Sequence, residues 1–238
     1  MDTFPAVLRA RLREDAATPL VTFYDDETGE RVELSVATYA NWVAKTASLF
    51  VDELDLERGD RVLLDLPTHW LGPVFLGAAW SAGLCVLLGG EPAEDADAVV
   101  CGPAGVAALA GPPAVPHLAT ALLPMGARSP EPPPEGVLDF GVEVWGQPDE
   151  FVAIDPPGPE DEARPGSTQS ALVEAASRGD LVAAGGRLLT GWNPASPSGL
   201  HSFTTPLVRG GSTVWVRGAT ADRLDSLAAA ERADVVTR

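Results

Sequence analysis

Arg58-Gly59-Asp60-Arg61-Val62-Leu63-Leu64-Asp65-Leu66-Pro67 is the stretch that decides the fold. A charged turn containing glycine leads into a run of apolar residues that suits a strand, and Pro67 closes it. Upstream, Ser35 stands where a helix cap is needed. Val36, Tyr39, Val43, Ala47, Phe50 and Leu54 then recur at spacings of three or four. That period predicts an amphipathic helix lying on a sheet, with Asn41, Lys45, Asp52 and Glu53 outward. Downstream, Leu71, Val74, Phe75, Leu76, Ala79 and Trp80 leave a helix little polar face, which predicts burial on more than one side. Ala82-Gly83 ends this helix, and Leu84–Leu88 reads as the next strand. Strand, helix crossover and strand is the unit that builds parallel sheets. The expected class is α/β, with mostly parallel sheets, helices on both faces and two stacked subdomains.

The flanking sequence extends the pattern. Residues 2–14 form an amphipathic helix, and residues 21–24 and 31–34 form a hairpin whose turn can use Gly29. Ala98–Cys101 reads as a strand followed by a tight glycine turn. Residues 128–136 are rich in proline and read as an extended linker between residues 1–127 and 137–238. Beyond it come a strand at Phe151–Ile154, a loop of prolines and acids, and a helix from Thr168 capped by Ser167. The series continues with a strand at Arg187–Thr190, a helix at Leu200–Val208 and a strand at Ser212–Val216. Thr220 caps a last helix, and Asp234-Val235-Val236 opens a further strand.

Composition narrows the partners. Thirty-four acidic residues against 16 basic ones give a formal charge of −18, a field that repels phosphate backbones and anionic lipid surfaces. Neither nucleic acid nor a membrane is expected as a partner. Trp70 to Gly90 carries no charge and has the length of a membrane span. Gly72-Pro73 and Ala82-Gly83 interrupt it, and a cytoplasmic location is expected. Lys45 is the only lysine, so any reaction that needs one has a single candidate. Cys85 and Cys101 fall in predicted buried strands rather than in a disulfide framework. His69, His117 and His201 are dispersed, without metal-ligand spacing, and read as surface or capping residues. The acids between Asp25 and Glu30 lack the spacing of a calcium loop.

The order of these pieces resembles the N-terminal region of the adenylate-forming enzymes, the AMP-binding superfamily of acyl-CoA synthetases, luciferases and adenylation domains. The residues that carry the resemblance are Leu34-Ser35 opening a helix, Arg58 to Val62 entering a strand, Leu66-Pro67, and Ala82-Gly83 before Leu84–Leu88. Leu188-Leu189-Thr190 and Pro206 to Val214 continue it. The resemblance implies a loop of glycine, serine and threonine ending in lysine, where backbone amides and hydroxyls hold the triphosphate. The segment in that position here is Asp155–Gly166, followed by Ser167 and Thr168. Its candidate remnants are Gly158, Arg164, Gly166, Ser167 and Thr168. Prolines lack N–H donors, and Asp155, Glu160, Asp161 and Glu162 would repel a polyphosphate that Arg164 alone does not offset. Ser196 stands where the superfamily often has histidine, and the later signatures would lie beyond Arg238.

The expected function is therefore a non-catalytic domain that has lost adenylation. It would bind a partner protein or a small acyl-type ligand near Trp192, Ser196, Gly199 and His201. No catalytic residue, metal site or cofactor is expected. The alternative is half of a split acyl-adenylate or acyl-CoA ligase completed by another chain, for which ATP, AMP or CoA would be cofactors.

Overall fold

The computed structural model describes residues 1–237. The chain opens with α1 (Phe4–Asp15), the hairpin β1 (Pro19–Asp25) and β2 (Glu30–Ser35), and α2 (Val36–Asp52). There follow β3 (Arg61–Asp65), α3 (Leu71–Ala82), β4 (Cys85–Leu88), β5 (Ala98–Cys101), α4 (Pro103–Ala108) and β6 (His117–Ala119). Next are β7 (Val137–Asp139), α5 (Phe140–Glu143), the small hairpin β8 (Glu162–Arg164) and β9 (Ser167–Thr168), and α6 (Gln169–Arg178). The chain continues through β10 (Arg187–Thr190), α7 (His201–Val208), β11 (Ser212–Arg217), α8 (Ala221–Glu231) and β12 (Val235–Thr237).

Two five-stranded sheets result, in the orders β12-β10-β11-β1-β2 and β4-β3-β5-β6-β7. Within these two sheets every pairing among the described residues is parallel except the β1–β2 hairpin. The expected class of mainly parallel α/β sheets is what the chain adopts. Alternation along each strand sorts the core into layers, because successive side chains point to opposite faces. Val62 and Leu64 of β3 join a central cluster with Phe50, Phe75 and Trp80 of the helices, while Leu63 faces the other way, among Val99, Cys101 and Val106. Val21, Phe23 and Trp215 of the first sheet enter the same central cluster. Its opposite face packs Leu189, Val214 and Val216 on Leu224 and Leu227 of α8. A shared helical layer thus lies between the two sheets. Among the described residues no helix is long and apolar enough to cross a membrane.

Strand pairing does not follow a division at residues 128–136. The β1–β2 hairpin belongs to the sheet built from β10, β11 and β12, and β7, after the proline-rich segment, pairs with β6. That segment is a crossover within one sheet, tied down where Ser129 N donates to the Asp139 carboxylate at 2.9 Å. α8 is fixed on the far face by Glu231, which accepts from Arg187 at 2.5 Å, from Arg31 at 3.0 Å and from the Tyr24 hydroxyl. Burial alone would raise this carboxyl; the hydrogen bonds from Tyr24, Arg187 and Arg31 hold it down at about 2.

Three expectations need correction. Phe151–Ile154 forms no strand: it pairs with no described strand, and the chain bends at Ile154. Pro148, Pro156 and Pro157 flank it and break the ladder on either side. The cap of α6 is Thr168, whose hydroxyl accepts from Ala171 N at 3.1 Å; Ser167 is drawn into β9 opposite Arg164. Lys45 does not project freely. Its Nζ donates to Gln147 O at 2.5 Å and pairs with Asp149 at 3.0 Å, leaving the side chain 17% exposed.

Candidate functional site

The segment in the phosphate-loop position folds onto itself and onto Arg58. Arg58 leaves the turn before β3, crosses the face of Gly83, and meets Asp161 with a two-pronged contact: Nε to Oδ2 and one terminal nitrogen to Oδ1, both 2.7 Å. Its other terminal nitrogen donates to Asp155 at 2.8 Å. The Arg58 guanidinium, helped by Gly158 N at 2.8 Å, lowers the Asp161 carboxyl below the usual range. The loop carbonyls turn the other way. Gln169 N donates to Asp161 O at 2.8 Å, and Ser170 N donates to Pro159 O at 2.9 Å. These are first-turn amides of α6, the groups that make a helix start attractive to an anion. With Ala171 N taken by the Thr168 cap, the chain's own oxygens use all three.

The expected set of four facing carboxylates is corrected accordingly. Asp155 and Asp161 are turned to Arg58, Glu162 accepts from Gly166 N at 3.2 Å, and Glu160 is exposed. Sequence reasoning missed Arg58, because 97 and 103 residues separate it from its two partners. Arg164 is the cation of the degenerate phosphate-loop position. It lies 4.0 Å from Glu91, and its buried Nε has no partner.

The other candidates separate into a turn and a groove. Ser196 Oγ donates to Asn193 O at 2.8 Å and accepts from Gly199 N at 3.1 Å, so it closes a turn before α7. A Cβ on Gly199 would sit 1.9 Å from Asn193 O, so the glycine is needed for this close approach. Asn193 in turn donates to Leu66 O at 2.7 Å, binding the loop to the end of β3. Trp192 packs on His201, ring centroids 4.9 Å apart. His201 also lines an open groove of about 500 Å³ between α6 and α7, with Arg164, Ser167, Leu172, Asp180 and Thr204. Thus His201, Arg164 and Ser167 share one concavity, whereas Trp192, Ser196 and Gly199 do not line it.

His69 is not a surface residue. It is 1% exposed, its ring 4.9 Å from Phe23 and 5.5 Å from Trp70. Nδ1 accepts from Leu71 N at 3.2 Å at the start of α3, which makes it a capping group, and Nε2 is buried without a partner. Burial first, then the nearby Arg217, lowers its pKa to about 3 against the pull of Asp25. Burial likewise pushes the Cys85 and Cys101 thiols up to about 11, with Glu162 and Asp65 adding respectively, so neither is a nucleophile near neutral pH.

No family model matches the chain. It is 40% identical over 164 residues to a TIGR03089 family protein of Mycobacterium tuberculosis, a match covering 65% of this chain and 64% of the relative. Among solved structures it resembles an acyl-CoA synthetase of Brucella canis, with a TM-score of 0.77 and 17% identity over 98% of this chain and 46% of the other. The N-terminal domain of FACL13 from Mycobacterium tuberculosis gives 0.74 and 17%, covering 99% and 62%. A benzoate CoA ligase of Burkholderia xenovorans gives 0.73 and 17%, covering 99% and 50%. The chain therefore spans 46 to 62% of these solved relatives and 64% of the mycobacterial one. The fold of this chain is that of the FACL13 N-terminal domain and of the matched parts of the acyl-CoA synthetase and the benzoate CoA ligase.

Proposed function

We propose that this chain is a non-catalytic binding domain built on the adenylate-forming fold, with the groove between α6 and α7 as its ligand site. One observation carries the reading: the first-turn amides of α6 are spent on Asp161 O, Pro159 O and Thr168, in the place where phosphate would need donors. Lys45 adds to it, being held by Gln147 and Asp149 on α2's flank. The groove offers Arg164, Ser167 and His201 beside Leu172 and Thr204, a surface suited to a small acyl-type ligand with a polar end. ATP–pyrophosphate exchange with a panel of carboxylic acids tests the loss of adenylation. The purified chain is expected to give none, and millimolar ATP or AMP is expected to leave its melting temperature unmoved. Exchange by the chain alone overturns the reading.

A second reading has one observation in its favour, the partial span of the solved relatives. In it the chain is half of an acyl-adenylate or acyl-CoA ligase, completed by another polypeptide that supplies the lysine. Exchange that arises only on adding a cell extract selects this reading.

A further inference from the structure

Phe151–Ile154 pairs with no described strand, and the chain bends at Ile154. Its side chains keep the period-two alternation of a ladder, Phe151 and Ala153 half-buried, Val152 78% exposed and Ile154 fully exposed. Two β-branched residues side by side on the outside of a segment that pairs with no described strand are a costly arrangement for a surface. The segment is also a ridge between two depressions. One, about 590 Å³, is lined by Leu8, Leu12, Ala40 and Ala44. The other, about 570 Å³, has Val51, Leu56 and Ala82 in its wall.

Charge selects the occupant. The second depression is rimmed by Asp52, Asp55, Glu57, Glu150 and Asp155, with Arg58 as its only cation. Arg58 is already committed to Asp155 and Asp161. Asp52, Asp55, Glu57 and Glu150 form no ion pair among the described residues. Two copies of a chain carrying −18 would bring like charges together here, so a second copy fits poorly. An extended segment alternating apolar and basic residues fits well: its apolar residues cover Val152 and Ile154, its cations face the rim, and its backbone can pair along the segment.

We propose that Phe151–Ile154 is a docking segment for a basic, apolar-alternating extended segment of a partner protein. The proposal goes beyond the reading of the groove and does not depend on it, since the outcome of the exchange assay leaves peptide docking unchanged.

The probe is a fluorescein-labelled peptide of four lysine–valine repeats, titrated into the whole chain and followed by anisotropy, with a lysine–glycine repeat of the same charge as control. The lysine–valine peptide is expected to bind at least tenfold tighter than the control and to weaken as salt is raised. Hydrogen exchange of the complex is expected to slow at residues 151–154. The double variant Val152→Asp, Ile154→Asp makes the face more acidic, so attraction by charge alone would tighten binding; docking on the segment predicts a loss of at least tenfold. Because both side chains are exposed, the variant is expected to keep the wild-type circular dichroism and melting temperature. Equal binding of the two peptides, equal or tighter binding by the variant, or protection mapping elsewhere overturns the proposal. So does a concentration-dependent dimer that the two substitutions abolish, which would give the face to a second copy.

Discussion

Gln169 is wholly buried at the first position of α6, and each polar atom of its side-chain amide has a partner. Oε1 accepts from Phe4 N at 2.9 Å and Nε2 donates to Trp80 O at 3.1 Å, while Trp80 Nε1 donates to Ala163 O at 2.8 Å. The Gln169 side chain thus joins the start of α1 to the end of α3, and Trp80 ties α3 to β8. Gln169→Leu keeps most of the volume but strands a buried amide and a buried carbonyl. It is expected to cost about 2–4 kcal/mol, lowering the melting temperature by roughly 5–15 °C, with little change in secondary structure by circular dichroism. A loss under 1 °C would mean that these groups find other partners. Nothing in the neighbouring sequence announces this role: a glutamine after Thr168 reads as an ordinary polar residue in a helix's first turn, and its partners lie 165 and 89 positions away. Arg58 was hidden for the same reason.

Elements were legible where one period ran long enough. The 3.6-residue stripe of α2, the capping Ser35, whose Oγ accepts from Thr38 N at 3.1 Å, and the apolar run of α3 are as the residues predict. Close approach of α2 and α3 was not legible, because it depends on the partner surface. A Cβ on Gly77 of α3 would lie 2.2 Å from the Tyr39 hydroxyl, 2.8 Å from Phe4 and 2.9 Å from Val43. The Tyr39 hydroxyl is itself fixed, donating to Pro73 O at 2.9 Å. Gly77→Ala gains helix propensity of about 1 kcal/mol, but separating two buried helices costs more, so a net loss of about 1–3 kcal/mol is expected. Tyr39→Phe removes the nearest clashing atom and should recover part of that loss in the double variant, a non-additivity that a denaturant titration of all four proteins measures. Additive losses would show that the helices separate elsewhere. Segment 151–154 marks the opposite limit: its residues predict a strand that the chain does not form, because whether a ladder forms depends on a neighbour that local sequence does not encode.

At the scale of the whole molecule, two electrostatic effects oppose each other as the solution is acidified. A chain at −18 repels itself, so proton uptake should favour the folded state. His69 acts the other way. With its pKa near 3 in the fold and about 6.5 in the unfolded chain, it favours folding fully above 6.5, and that contribution is lost as pH falls toward 3. At pH 5.5 the loss relative to pH 8 is ~1.4 kcal/mol for one unit below the unfolded value. Over the same interval a carboxylic acid of ordinary pKa, near 4, barely begins to protonate, so relief of repulsion is small. His69 should win, and stability should fall between pH 8 and 5.5. Below that, Glu30, whose carboxyl burial and then Asp25 push upward, begins to contribute in the reverse sense. His69→Asn isolates the effect, since an asparagine oxygen can still accept from Leu71 N and does not titrate. Urea unfolding of both proteins at pH 8, 6.5 and 5.5 should give a decline for wild type that is absent, or reversed by the relieved repulsion, in the variant. Parallel declines in the two would place the acid sensitivity in the carboxylates and leave His69 with only its capping role.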